Sequence, residues 1–318
     1  MIKIQFYKFL IITLSFFFSL LLCSCDFGPQ PDKIIEMTLE LPEKINSNKQ
    51  IDLIILKLNK RLQKITKNPE LSVLPNKNHI KITIATNFLE DRFKNYILNP
   101  GKLDFYETYN SEDLSLFFVQ VNEASKINKE SEDNPFYDLI KGSSYSGDAV
   151  LFYVAEKDTV WVNQFISSKK VESALPIKKR FIKFLWGIKE KETGYIPLYA
   201  LKKNKLGKPA LSGDVVVDAF PTYNALGMPA ISMQMNEEGA EKWEDLTGKV
   251  FQQRSNIAIV LNDQVYSAPG VSSGPIHGGS SEISGDFTKE EAQDFANILM
   301  SGSIPKMKII NVEVKKIK

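Results

Sequence analysis

Thr288-Lys289-Glu290-Glu291-Ala292-Gln293-Asp294-Phe295-Ala296-Asn297-Ile298-Leu299-Met300-Ser301-Gly302, followed by a strand-like run from Met307 to Val314, is the stretch on which the fold turns. Thr288 with Glu291 three residues on forms a capping box, and Phe287 and Ala292 take the two positions of a hydrophobic staple. Ala292, Phe295, Ala296 and Leu299 give the helix one apolar stripe, and Ser301-Gly302 ends it. A closing helix and strand need a sheet to join. The other end of the chain supplies one.

There Ile35, Met37, Leu39 and Leu41 are apolar at every second position, the period of a half-buried strand. Ser47 and Gln50 make a second capping box ahead of Ile51, Ile54, Ile55, Leu58, Leu62 and Ile65, which recur at helical spacing until Asn68-Pro69. Ile80, Ile82 and Ile84 alternate again, and a short helical segment runs from Phe88 to Leu98. Asn99-Pro100-Gly101 then turns the chain into a third strand, Leu103 to Thr108. Joined to the closing helix and strand, these pieces read β-α-β-β-α-β. The expected fold class is α+β: a ferredoxin-like sandwich built from both ends of the chain, with the long middle inserted.

The middle has two parts. Residues 110–194 read as a polar, irregular insertion, with a charged loop over Asn128–Asn134 and helical pieces near Leu114–Ala124 and Trp161–Ala174. Residues 195–275 carry clearer signals. Tyr195–Leu201 and Asp214–Ala219 read as strands, Ala230–Met235 alternates, and Asn236 caps a helix bearing Ala240, Trp243 and Leu246 that ends at Gly248. Ile257–Leu261 and Val265–Ala268 form a hairpin around Asn262-Asp263-Gln264.

The N-terminus reads as an address. Lys3 and Lys8 precede an apolar run from Phe9 to Leu22, and Leu22-Cys23-Ser24-Cys25 follows with the only two cysteines among 318 residues. This pattern resembles the bacterial lipobox, so residues 1–24 are expected to be a cleaved signal, Cys25 a lipid anchor and residues 25–32 a tether. Asp26 resembles a retention signal used by some bacteria, which favours the inner membrane slightly. The body left after cleavage, about 290 residues, suits two modest domains. It has no cysteine for an internal disulfide. With 40 Lys plus Arg against 38 Asp plus Glu in all 318 residues, the chain lacks the basic surplus of a nucleic-acid binder.

No catalytic constellation stands out, and no enzyme, cofactor or metal site is expected. His79 and His277 are the only histidines and lie outside any metal-ligand spacing. Ser267 has no histidine and acid at a nucleophile's spacing. Asp104, Glu107, Glu112 and Asp113 read as a solvated face rather than a calcium loop. Gly274, Gly278 and Gly279, around His277, lack the lysine and following helix of a phosphate loop, and read as a turn or hinge. Met228, Ile231, Met233 and Met235 admit two roles: core packing, the ordinary one, or an adaptable apolar contact surface.

Several separated blocks then coincide with a known family. Asn236-Glu237-Glu238-Gly239-Ala240, Ile257–Leu261, Val265–Pro269, Ile283–Thr288 and Ser301–Pro305, in this order, resemble the first periplasmic domain of SecD, a subunit of the bacterial Sec translocase also found fused as SecDF. Gly101–Tyr109 and Phe184-Leu185-Trp186-Gly187 resemble its longer variants. The resemblance implies a ferredoxin-like base made from both ends, residues 33–109 and 276–318, an α+β head inserted between them, and a glycine loop where the head returns to the base. It also implies contact of the head with preprotein or Sec translocase subunits at the periplasmic side. In that family proton-driven work resides in membrane helices. The expectation here, with lipid in place of the preceding helix, is binding alone. The alternative is an envelope interaction or structural lipoprotein that reuses the fold outside export.

Overall fold

The computed structural model describes residues 30–75, 78–126, 132–145 and 147–317. Cys25 and the expected leader lie outside the described residues. The base is a four-stranded antiparallel sheet of β1 (Lys33–Glu40), β2 (Glu70–Val73), β3 (His79–Thr86) and β15 (Lys308–Lys316), in the order β15-β1-β3-β2. Counted along the base alone this is 4-1-3-2, the ferredoxin-like order. Ile35, Met37 and Leu39 of β1 and Ile80, Ile82 and Ile84 of β3 point to one buried face. Helix α1 (Asn48–Leu62) covers that face with Ile51, Ile54, Leu58 and Leu62, and α2 (Glu90–Leu98) with Phe93, Tyr96 and Ile97. Both bonds of the Ser47–Gln50 capping box form.

Two strand assignments change. The second base strand is Glu70–Val73, only four residues and mostly exposed, so its sequence carries no alternation to detect. The run expected as the third strand, β4 (Leu103–Tyr109), leaves the base altogether. Its first six residues are all buried, which requires a position in mid-sheet with both faces covered. The helix before the last strand, α6 (Lys289–Ser301), also faces mostly away from the base and gives it Ile298, while α2 is the helix that shares the base core with α1. The capping box at Thr288 is present as expected.

β4 is central in an eight-stranded sheet with β5 (Ile140–Gly142), β6 (Val150–Ala155), β7 (Ile182–Trp186), β8 (Tyr195–Lys202), β9 (Leu211–Ser212), β12 (Ile257–Leu261) and β13 (Gln264–Ser267). β13, β12, β4, β8 and β7 pair antiparallel in that sequence, and a parallel bridge from Gly187 to Val265 brings β7 back to β13. The sheet closes on itself there. Ile188 N–H donates to the Val265 carbonyl at 3.0 Å. A Cβ on Gly187 would stand 2.7 Å from Pro197 Cγ and 2.8 Å from Tyr199 Cε2, so only glycine fits the seam. Tyr106, Leu201, Ala258, Val260 and Val265 fill the interior.

Residues 110–194, expected to be irregular, contribute three of these strands and two helices, α3 (Ser115–Ser125) and α4 (Thr159–Ile166). The second helix is shorter than its sequence suggested. Aromatic packing holds the region together: Phe118 stacks on Phe136 at 5.7 Å and meets Phe152 edge-on at 5.3 Å.

A three-stranded sheet, β10 (Val216–Tyr223), β11 (Pro229–Met235) and β14 (Ser280–Ser284), runs in the order β10-β11-β14. One core fills the space between this sheet and the closed one. Phe105, Ile257, Ile259 and Leu261 line it on one side, and Ile231, Met233, Met235 and Ile283 on the other. Trp243 and Val250 of α5 (Glu237–Gln253), with Ala292, Ala296 and Leu299 of α6, complete it. Asn236 caps α5 as expected, its Oδ1 accepting from Gly239 N–H at 2.8 Å.

Candidate functional site

The four residues singled out as an apolar contact surface part company. Ile231, Met233 and Met235 alternate inward along β11 and are buried, so they pack the core and reach no partner. Met228, in the turn before β11, is 46% exposed. Around it the hairpin of β10 and β11 presents Phe220, Tyr223 and Leu226, and Leu226 is 82% exposed. Four large apolar side chains thus stand in water on one projection.

The tip is rigid for a readable reason. In Asn224-Ala225-Leu226-Gly227-Met228, Asn224 Oδ1 accepts from the N–H groups of both Leu226 and Met228 at 2.9 Å. Gly227 takes φ +75°, and its N–H reaches the Asn224 carbonyl at 2.9 Å. Asn204-Lys205-Leu206-Gly207-Lys208 builds the same loop: Asn204 Oδ1 accepts from Leu206 and Lys208, Gly207 takes φ +74°, and Leu206 is 79% exposed. The repeated Asn-x-Leu-Gly pattern was the signal in the sequence for both.

The edges of the three-stranded sheet differ. On β10 the outward N–H of Ala219 donates to Met300 Sδ at 3.0 Å, and Pro221 has no N–H, so this edge is closed to a further strand. On β14 the bond from Met235 N–H to the Gly279 carbonyl sets the register. It turns the main-chain groups of Ser280, Glu282 and Ser284 away from β11. An extended chain can pair there.

The glycine loop does not lie between head and base. It joins β13 to β14 and is strapped to α5 and β11. Ile276 N–H donates to Thr247 Oγ1 at 2.9 Å, Gln234 Nε2 to the Gly278 carbonyl at 2.6 Å, and a Cβ on Gly279 would stand 2.7 Å from that of Ala240. Gly274 and Gly278 face open space, and His277 Nδ1 lies 2.9 Å from Glu244 Oε2 on the surface. The chain crosses from base to head elsewhere, at Asn99–Lys102 and Ser301–Ser303.

Both crossings are held by Arg61, a fully buried residue that sequence reading passed over. Its Nε donates to Ser301 Oγ at 3.0 Å, Nη1 to the carbonyls of Tyr96 (3.2 Å) and Asn99, and Nη2 to that of Gly302 at 3.4 Å. Among the described residues no carboxylate bonds the guanidinium. The carbonyl-rich ends of α1, α2 and α6 converge on it and supply the compensating negative potential. Burial still pushes its pKa down to about 10, which leaves it charged at neutral pH. A polar residue inside the apolar stripe of α1, beside Leu58 and Leu62, was the available clue.

The acids of β4 are not a solvated face. Asp104 and Glu107 are both buried. Glu107 is clasped by Lys202 and Lys249, and Asp104 meets Lys102 at 2.8 Å while burial raises its carboxyl pKa. Asp113, at the strand exit, accepts from Asn110 N–H at 3.1 Å. Ser267 Oγ is buried without a hydrogen-bond partner. Among the described residues no three His, Cys, Asp or Glu side chains gather as metal ligands, and no helix is long and apolar enough to cross a membrane.

Comparison with known proteins places this architecture. Residues 189–306 match the family described as SecDF, P1 head subdomain. The chain carries a SecD-like domain. It is 35% identical over 176 residues to the protein translocase subunit SecD of Rhodothermus marinus, covering 55% of this chain and 28% of that relative. With the SecDF of Thermus thermophilus it shares 38% identity over 105 residues, 33% of this chain and 14% of the relative. A solved SecDF in its super-membrane-facing form superposes over 98% of this chain and 35% of its own length, with a TM-score of 0.53 at 18% identity. That likeness concerns the fold. The chain spans less than a third of the length of these curated SecD relatives. The SecD-type head contains the β10–β11 hairpin, the glycine loop and the whole of α6.

Proposed function

We propose that the chain serves protein translocation as a non-catalytic binding module whose hairpin tip holds apolar stretches of exported polypeptide, or a Sec translocase subunit, on the periplasmic side of the membrane. The observation that carries this reading is the exposure of Phe220, Tyr223, Leu226 and Met228 on one rigid projection of the SecD-like head. A preprotein in transit is unfolded and apolar in patches. A small set of aliphatic and aromatic side chains on a stiff loop, beside an open strand edge at β14, suits such a partner because it reads no particular sequence. Anchorage through lipid on Cys25 would keep the head within reach of emerging chains. An envelope protein outside export, the other reading left open by the sequence, calls for a charged head surface, and the apolar tip speaks for polypeptide binding.

A photo-crosslinking residue in place of Leu226 should give adducts with secreted chains or translocase subunits in living cells. Recovery of neither would overturn the proposal. Labelling with radioactive palmitate should mark the wild-type chain and not Cys25→Ser; equal labelling would remove the anchor from the reading.

A further inference from the structure

Between the outer side of α1 and the head lies a cleft of about 710 Å³, outside the hairpin and its neighbours. The base contributes Lys44, Leu53, Leu56, Lys57 and Lys60 to its walls, and Lys102, Asp214, Asp263 and the segment 299–306 are among the residues that line it elsewhere. Helix α1 therefore has a second face. Ile51, Ile54, Leu58 and Leu62 point into the base core, whereas Leu53 and Leu56, each 50% exposed, point outward to the cleft. Two leucines left half in water on a helix whose apolar stripe is already satisfied need a reason outside the fold.

The charge around them is one-sided. Five lysines line the cleft against two aspartates, in a chain that is otherwise close to neutral. Both aspartates are engaged: Asp263 pairs with Lys183 at 2.6 Å, and Asp214 accepts from Ser212 Oγ at 3.0 Å. Lys102 is paired with Asp104, and Lys57 donates to the Ser303 carbonyl at 2.8 Å. Lys44 and Lys60 form no ion pair with a described carboxylate, and Lys306 feels Asp263 only at longer range, without a contact pair. Three ammonium groups without a contact ion pair, in a cleft with a net positive charge, beside two exposed leucines call for an occupant that brings carboxylates and aliphatic groups together. A bare anion would leave the leucines wet, and a purely apolar segment would leave the lysines repelling one another. A flat bilayer surface does not enter a recess between two bodies.

We propose that this cleft docks an acidic, leucine-containing segment of a partner polypeptide, at a site separate from the hairpin tip. Such a segment touches α1 on one side and the head on the other, so it also bridges the two bodies that Arg61 joins beneath it.

The test uses the full chain and a fluorescein-labelled peptide composed of leucine and glutamate, followed by anisotropy. Saturable binding is expected, weakening steeply with added salt. Lys60→Glu combined with Lys306→Glu should lower affinity about tenfold or more. Leu53→Ser combined with Leu56→Ser should weaken binding as well. These side chains are exposed and the variants should melt like the wild type; the milder pair Lys60→Gln with Lys306→Gln covers the case where they do not. No binding, equal binding of a leucine and lysine peptide, or indifference to both lysine pairs would overturn the proposal. So would displacement of the peptide by phosphatidylglycerol vesicles with the same lysine dependence, which would mark a lipid site. Leu226→Ser should leave the peptide affinity unchanged, which separates failure here from failure of the hairpin reading.

Discussion

Set side by side, the base–head junction and the β10–β11 hairpin depart from the ordinary partition of residues in opposite directions. At the junction a cation, Arg61, is buried completely; at the hairpin four large apolar side chains stand in solvent. Each departure is locally compensated in a way that shows its purpose. Arg61 makes bonds to the ends of the helices around it, so burial is tolerable and the two chain crossings are held together. The hairpin makes its bonds within its own backbone through Asn224, which leaves its apolar groups free for something else. A buried charge fully bonded belongs to the architecture. An exposed apolar tip on a stiff loop belongs to recognition.

The comparison can be broken most forcefully at the junction. Arg61→Met should destabilise the chain by about 3 kcal/mol or more, since it leaves several buried carbonyls and Ser301 without a donor. Arg61→Lys should recover little, because an ammonium cannot fork between these acceptors. Urea unfolding measures both, and a loss below about 1 kcal/mol would mean that water or repacking replaces the guanidinium. Next in size is Met233→Ala against Met228→Ala. The buried residue should lose about 2–4 kcal/mol and the exposed one less than about 0.5, with only the second lowering crosslinking at the tip. Equal losses would erase the distinction between the two methionines. Gly187→Val, at the seam of the closed sheet, should cost about 1–3 kcal/mol by forcing Pro197 and Tyr199 aside, and thermal unfolding would show it.

The smallest effect concerns the open face of the base. Lys315 and Lys81 hold the Glu36 carboxyl down to about 2 from its ordinary 4.5. A depressed carboxyl pKa stabilises the folded state above the unfolded value, so this contribution is present above pH 4.5 and fades as pH falls toward 2. Glu36→Gln should therefore flatten the acid limb of a stability–pH curve in that window and leave its shape near neutrality intact. An unchanged acid limb would show the cluster to be screened by solvent.

Elements of strong local pattern were legible from the residues alone. The capping boxes at Ser47 and Thr288, the alternation of Ile35–Leu41 and Ile80–Ile84, and the Asn236 cap all formed where the sequence put them. The four-residue β2 was not legible, being too short and exposed for periodicity to register. The candidate site was half legible: methionines along 228–235 drew attention to the right hairpin, but alternation along β11 sends Met233 and Met235 inward and leaves Met228 outside. Tyr223 and Leu226 were missed because an exposed apolar residue looks in sequence like any other apolar residue.

The sequence by itself determined the α+β class, the capped helix starts at Ser47, Asn236 and Thr288 and, through ordered motif blocks, the SecD-like domain, because caps, turns and periodicity are written into neighbouring residues. Helix ends were less legible, α5 running on to Gln253 past the expected stop at Gly248. Tertiary structure alone decided which sheet each strand joins. Leu103–Tyr109 fits either sheet by pattern, and only the space on both of its faces assigns it to the closed one. It decided as well that Arg61 is a buried joint and Leu226 an exposed tip, since both depend on where residues distant along the chain come to rest.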